Sequence, residues 1–323
     1  MQLARLALSA ATLFVLSHVA QAQEKWPDRP IRLIVTSAAG GGIDLMARIL
    51  ADGLSRQLPK AVIVENNGGA GGLVATRLVA KADPDGYTFL FQGPGYADLP
   101  FIRSAPGFDV YKDFASVSLV AKYPLVLITN PSLGVKTLPE FIALAKKSPG
   151  KYTYGSSGIG GASNIAMEAL DRRAGIELVH VPFSGSGQTS AAVLAGQIDI
   201  TIDGLAPQLG NIESHRLVPL AVTTLERSPR LPELPTVVET LPGYQYPMWV
   251  GVFAPGKTPK EIVEKMSLAI NRALNDTAAK KRFEELIVDP IGSTPSEFQQ
   301  FVDEQLVFHK NIIEQANIKI GDQ

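Results

Sequence analysis

Apolar and polar positions along the chain alternate between two periods. Ile31 to Thr36 is a short apolar run that reads as a strand, and Ala61 to Glu65 and Tyr87 to Gln92 read the same way. Between them, Met46, Ile49, Leu50, Leu54 and Leu58 recur at helical spacing, predicting a helix from about Ile43 to Gln57 that Pro59 ends. A second helix is expected from Leu73 to Lys81, and Asp83-Pro84-Asp85-Gly86 is a turn. The alternation continues with strands at Pro124 to Thr129, Tyr152 to Tyr154, Glu177 to Val181, Ile198 to Ile202 and Val218 to Thr223. Helices are expected at Leu138 to Lys147, Ala162 to Ala174, Gly187 to Ala195, Pro259 to Leu274 and Pro295 to Ala316. Strands that alternate with helices predict an α/β architecture, with parallel sheets covered on both faces.

One local device recurs: a strand ends in a glycine-rich loop and a helix starts directly after it. It stands at residues 36–44, 66–73 and 155–164. The first four N–H groups of a helix have no partner inside it, and the aligned peptide dipoles place about half a positive charge there. Glycines let another group approach that backbone closely. Such a loop can hold an anion without a charged side chain. Thr36, Ser37, Ser156, Ser157 and Ser163 add hydroxyl donors to two of the loops, and neither of these contains Lys or Arg. Phe183 to Ala191 also lacks Lys and Arg and carries Ser184, Ser186, Gln188, Thr189 and Ser190. Neutral donors suit reversible capture, whereas a bidentate arginine would hold an anion more tightly. The bland reading of each loop is a tight turn, and residues 66–72 fit that reading best.

The 323 residues suffice for two domains with sizeable cores, and the formal net charge is −1. That near-neutral balance argues against nucleic-acid partners and against adsorption to anionic lipid. Arg5, the apolar stretch Leu6 to Val19 and the small residues of Ala20-Gln21-Ala22 predict a secretory signal peptide over residues 1–22, cleaved near Ala22/Gln23. No later segment approaches the ~20 unbroken apolar residues of a membrane span, so no stable membrane insertion is expected. The absence of cysteine excludes thiol catalysis and thiolate metal sites.

Enzyme signatures fail one by one. Gly155-Ser156-Ser157-Gly158-Ile159 lacks the final glycine of a hydrolase elbow, and no Gly-Lys-Ser/Thr phosphate loop occurs. Gly158-Ile159-Gly160-Gly161-Ala162-Ser163 imitates a dinucleotide fingerprint only loosely. His180, His215 and His309 stand far apart with no HExxH, so neither a metal nor a cofactor is expected. Asp199 and Asp203 flank a strand, either as paired carboxylates or as turn residues. Asp44 lies in a first helical turn, where it either favours the helix dipole or meets a ligand.

The chain resembles the solute receptors of tripartite tricarboxylate transporters, the Bug family of Gram-negative bacteria. The resemblance is carried by Trp26-Pro27-Asp28-Arg29-Pro30-Ile31-Arg32, Ala39-Gly40-Gly41-Gly42-Ile43-Asp44, Val64-Glu65-Asn66, Pro84-Asp85-Gly86-Tyr87-Thr88, Gly155-Ser156-Ser157-Gly158, Val179-His180-Val181-Pro182-Phe183, Gly196-Gln197-Ile198-Asp199 and Arg227-Ser228-Pro229. It implies a two-lobed type II periplasmic binding protein fold, with a mainly parallel sheet in each lobe and crossing hinge segments. Lobe one is expected at 23–123 plus 247–323 and lobe two at 124–246. It further implies a small carboxylate held between the 37–44 and 155–164 loops, hinge closure, and delivery to integral membrane transporter subunits by a monomeric receptor in the periplasm. Departures at Ala39, Ile43, Asn164 and Phe183-Ser184-Gly185 lower the polarity of the cleft and favour a ligand with an apolar or aromatic body. Trp249, Phe183 and Tyr96 are the aromatic candidates, with the core as their bland alternative. The ligand-binding positions expected are Ser37, Ala38, Ala39, Gly40, Gly41, Asp44, Gln92, Ser156, Ser157, Gly160, Asn164, Phe183, Asp203 and Trp249. A sensor docking to a membrane kinase and a periplasmic hydrolase remain as rival readings; the latter needs a nucleophile with a partnered base, and none is visible in the sequence.

Overall fold

The computed structural model describes residues 26–315, 317 and 318. The expected signal peptide lies outside them. Among the described residues no helix is long and apolar enough to cross a membrane.

The chain opens with β1 (Ile31–Val35), α1 (Gly42–Gln57), β2 (Val62–Asn66), α2 (Leu73–Ala80), β3 (Thr88–Gln92), α3 (Gly95–Ile102) and β4 (Phe114–Tyr123). It then crosses at residue 124 into β5 (Leu125–Thr129), α4 (Leu138–Lys147), β6 (Thr153–Ser156), α5 (Ala162–Ala174), β7 (Val179–Pro182), α6 (Ser186–Leu194), β8 (Ile200–Gly204), α7 (Leu205–Glu213), β9 (Val218–Val222) and α8 (Val237–Thr240). It returns through β10 (Met248–Pro255), α9 (Lys260–Asn275), α10 (Thr277–Glu285), β11 (Asp289–Pro290) and α11 (Pro295–Gln315).

Two sheets result. The first has the order β11-β4-β10-β3-β1-β2, the second β7-β6-β8-β5-β9. Both are mixed rather than mainly parallel. β1 pairs in parallel with β2 and β3, and β6 with β7 and β8. The strands entered by the two crossings run the other way: β10 is antiparallel to β3 and β4, and β5 to β8 and β9. A chain that leaves one sheet along β4 and comes back along β10 inserts its return strand against the direction of its neighbours. β10 lies between two strands and is buried over its whole length, which explains its unbroken apolar sequence Met-Trp-Val-Gly-Val-Phe-Ala-Pro.

The helices bury the faces their spacing dictates. α1 turns Met46, Ile49, Leu50 and Leu54 inward, and α9 turns Val263, Met266, Ile270 and Leu274. The two helices approach closely where Gly53 faces Ala273. Several elements have no clear periodic signal in the sequence. α3 is buried along nearly its whole length and contains Pro100, so no amphipathic period marks it.

Behind the sheets the lobes share an apolar block. Leu73, Leu99 and Ile102 from the first half pack in one cluster with Leu125, Tyr154, Ile165 and Tyr246, and Ile313 and Ile318 from the chain's end join them. A buried polar knot reinforces this junction. Tyr246 Oη donates to Asp98 Oδ2 at 2.6 Å, and His309 Nδ1 lies 2.7 Å from Asp98 Oδ1, with Asp98 and His309 fully buried. The return crossing, α3 and α11 are thereby tied together.

In the second half, the Asp171 carboxyl is pushed up to about 7 by burial and by the nearby Glu168 carboxylate, against the backbone N–H of Leu178 that donates to it. Because the folded-state value lies above the unfolded one, the folded protein gains stability as pH falls through 7. Asp171→Asn should therefore raise Tm relative to the parent by more at pH 8 than at pH 5 in paired thermal melts; a difference independent of pH would contradict this assignment.

Candidate functional site

Five strand-to-helix transitions converge on one cavity of about 390 Å³ between the two sheets. Its lining includes Gly41, Gly42 and Ile43 at the start of α1, Pro94 and Gly95 at α3, and Gly161, Ala162 and Ser163 at α5. Gly185 to Thr189 at α6 and Gly204 at α7 complete the set. None of these five helices carries a side-chain cap. At α1, α5 and α6 the opening N–H groups have no partner among the described residues, whereas at α3 the Tyr96 and Ala97 N–H groups donate to the Gly93 and Pro94 carbonyls and at α7 the Leu205 N–H donates to the Pro124 carbonyl. No Lys, Arg or His lines the cavity.

The 37–44 and 157–164 loops are built alike. Gly40 and Gly160 take φ of +84° and +75°. In each loop that glycine's N–H donates at 2.8 Å to the side chain four residues on, Asp44 Oδ2 and Asn164 Oδ1. Gly41 and Gly161 then stand as N-caps in extended conformation. Asp44 and Asn164 therefore serve as internal braces. Burial alone would raise the Asp44 carboxyl, but hydrogen bonds from Arg48, the Gly40 N–H and Asn66 outweigh it and hold the pKa below the usual range.

Two buried polar atoms of the lining have no partner among the described residues: Ser37 Oγ and Gln92 Nε2. Gln92, at the end of β3, is 1% exposed, and its Oε1 already accepts from Thr76 Oγ1 at 2.8 Å. Thr76 Oγ1 also lies 2.7 Å from the Gly72 carbonyl oxygen, and Nε2 is the end of the amide left without a partner. A buried unpaired donor costs on the order of 1–3 kcal/mol unless a guest meets it. Ser157 Oγ lies 2.9 Å from Ser163 Oγ, and both residues line the cavity.

At its far side the cavity meets Asp203, the last side chain of β8 before Gly204. Oδ2 accepts from Ser190 Oγ and Gln208 Nε2, both at 2.7 Å, and Oδ1 accepts from the Gly204 N–H at 2.8 Å. Burial pushes this carboxyl above its ordinary range, with the three hydrogen bonds pulling the other way. Tyr123 stands close by; burial, with the Asp203 charge adding to it, raises its phenol. Apolar walls come from Ala38, Ala39, Ile43, Leu125, Ile202 and Met248.

Several expected positions lie elsewhere. Trp249 is fully buried against Phe298 and Phe301, with its side chain in the core, because β10 is the central strand and this position faces away from the cleft. Tyr96 likewise stacks on Phe253 at 4.1 Å and donates to the Val110 carbonyl. The lining aromatic is Tyr123, at the crossing between sheets, which periodicity could not single out. Phe183 lines a neighbouring groove with Arg103, Glu168, Arg172 and His180 rather than the cavity. Ser156 is fully buried, and its Oγ lies 2.6 Å from His180 Nε2. A serine and an imidazole thus meet although 24 residues separate them, a pairing the sequence hid. His180 stacks on Tyr154 at 4.7 Å, and burial lowers its pKa against the pull of Glu168. With Ser156 Oγ sealed from the cavity, the pair braces the loop.

The lobes meet across the cavity through glycines. A Cβ on Gly71 would stand 2.5 Å from the Gly160 carbonyl carbon, and Gly71 itself has φ +68°. A Cβ on Gly185 would touch that of Ala38 at 3.2 Å. The 66–72 loop, whose bland reading was a packing turn, therefore forms part of the contact between lobes. Gly71→Ala should push the 66–72 loop away from Gly160, lowering Tm and raising the radius of gyration seen by small-angle scattering. An unchanged Tm and radius of gyration would show that the contact is dispensable.

Comparison with known proteins agrees with this architecture. The family model for the tripartite tricarboxylate transporter family receptor matches residues 46–318. A protein encoded in the tcbD–tcbE intergenic region of Pseudomonas sp. (strain P51) is 35% identical over 295 residues, 91% of this chain and 87% of that protein. The periplasmic binding protein BugD superposes with a TM-score of 0.87 at 31% identity, covering 91% of this chain and 99% of its own. An R. palustris protein whose structure was solved with adipate superposes with a TM-score of 0.86 at 31% identity, with the same coverage. The fold is accordingly that of the two-lobed periplasmic binding proteins, and the chain belongs to the tripartite tricarboxylate transporter receptor family.

Proposed function

We propose that this chain is an exported receptor that captures a small carboxylate between its two lobes in the periplasm and passes it to integral membrane subunits of a tripartite transporter. The observation that carries this reading is the convergence of five helix starts, those of α1, α5 and α6 with unpaired opening N–H groups, and of the unpaired Gln92 Nε2 on one cavity whose lining holds no cation. A carboxylate matches that lining: it accepts several N–H bonds at once, and its charge is met by dipoles. A related structure of similar fold was solved with adipate, which supports the same ligand class here.

In this reading the lobes are residues 23–123 plus 247–323 and residues 124–246, the receptor acts as a monomer, and residues 1–22 are removed on export. The binding positions are Ser37, Ala38, Ala39, Gly41, Gln92, Ser157 and Asp203, together with the starts of α1, α3, α5 and α6. Tyr123, Leu125, Ile202 and Met248 cover an apolar ligand body. Gly40, Asp44, Gly160, Asn164 and Ser156 act indirectly, by holding the two loops in shape.

A thermal-shift screen tests the reading, since a ligand that binds the folded state raises Tm by mass action. Each acid is paired with its primary amide. At least one acid should raise Tm while its amide does not, and Gln92→Glu should weaken that acid at least tenfold, about 1.4 kcal/mol, by placing a carboxylate where the amide donor stands. Equal shifts from acid and amide, or full affinity in Gln92→Glu, would reject the carboxylate assignment.

A further inference from the structure

The cavity adjoins the groove that holds Phe183, a space of about 880 Å³. Five residues border both: Ala38, Gly68 and Gly69 from the first lobe, Ser157 and Ser184 from the second. None has a side chain longer than a hydroxymethyl group. The close approaches of Gly71 to Gly160 and of Gly185 to Ala38 lie along the same seam. Parting the lobes would open that seam and join the groove to the cavity, which makes the groove the mouth of the site.

The two spaces differ in charge. No Lys, Arg or His lines the cavity, whereas Arg103 of the first lobe and Arg172 and His180 of the second line the groove beside one carboxylate, Glu168. Arg103 is 7% exposed. The Arg172 side chain is exposed and forms no ion pair or hydrogen bond among the described residues. Glu168 Oε1 is already engaged, accepting from Tyr154 Oη at 2.5 Å. Burial lowers the His180 pKa, so the imidazole is neutral near pH 7. Asp171, beside Arg172 in the chain, is pushed up to about 7 and is only partly charged there. Two guanidinium groups against one carboxylate leave the groove positive.

Cations placed there act on capture rather than on retention. At physiological salt charges are screened over about 8 Å, and the net charge of −1 gives the chain no general pull on an anion. Only positive groups at the mouth can draw a small carboxylate toward the seam. Charges at the rim of a site change the association rate and its salt dependence, whereas a cation inside the cavity would grip the bound ligand and slow its release.

We propose that the groove is an outer anion site, in which Arg172 and Arg103 gather a small carboxylate before it passes between the lobes to the helix starts that retain it. The inference rests on the carboxylate reading above and adds a transient station to it.

Stopped-flow kinetics test it. The chain has no cysteine, so Lys146→Cys on α4 and Lys265→Cys on α9 place one fluorophore on each lobe, and energy transfer between them follows binding. The probes are adipate and benzoate, with adipamide and benzamide as uncharged counterparts. At about 20 mM salt, Arg172→Gln should slow association of the acid at least threefold and Arg172→Glu more, with dissociation within twofold of the parent; at about 500 mM salt the difference should vanish. Lys281→Gln on α10, which lines neither space, removes the same charge and should change neither rate. An unchanged association rate in Arg172→Gln, or a loss of affinity carried by faster dissociation alone, overturns the proposal. If the Arg172 variants fail to fold, the parent decides: association should fall with salt for the acid and not for its amide, and an association rate indifferent to salt overturns the proposal. Binding of neither acid, or of the amides in preference to them, would instead count against the carboxylate reading and remove the proposal with it.

Discussion

The structure depends on one constraint: the first turn of every helix leaves backbone N–H groups that must find partners. In most proteins side-chain caps meet them. Here five helix starts without a side-chain cap border a single cavity; backbone carbonyls take N–H groups at α3 and α7, and those opening α1, α5 and α6 have no partner among the described residues. The glycines that make this arrangement do two things at once. At Gly40 and Gly160 a positive φ turns the chain so that its N–H is absorbed by Asp44 or Asn164, which leaves the next groups facing inward. At Gly71 the missing side chain lets the two lobes come within contact distance. No lysine, arginine or histidine lines the cavity, so in the proposed reading the helix dipoles are what meet a negative ligand.

This design needs a rigid frame, because dipoles act only over a few ångströms and must be aimed. The apolar block shared by the two halves supplies the frame, together with the Asp98, His309 and Tyr246 knot that ties the return crossing to α3 and α11. Ser156 and His180 do similar work inside the second loop. The mixed sheets follow from the same layout, since two crossings deliver antiparallel strands to the interior of each sheet.

Much of this could be read from the residues. Helices with a one-sided apolar stripe, such as α1 and α9, declared themselves, as did the two hydroxyl-rich glycine loops. What stayed hidden has physical causes. Helix α3 is buried along almost its whole length, so its sequence carries no amphipathic period, yet its start is one wall of the cavity. Trp249 and Tyr96 were plausible as cleft aromatics by type, but which face of β10 or α3 points inward is set by packing with α11 and β4. Tyr123 and Met248 line the cavity because both stand where the chain crosses between sheets, a place that only topology defines. Gln92 stands out only once its Nε2 is seen to be buried without a partner.

The central claim is that backbone N–H groups and the Gln92 amide, not cations, hold the anion. A crystal structure with a bound carboxylate tests it most directly. The account predicts carboxylate oxygens within about 3.1 Å of Gln92 Nε2 and of N–H groups at the starts of α1 or α5. A carboxylate seated instead in the neighbouring groove against Arg103 or Arg172, with the glycine-lined cavity holding only water, would contradict it.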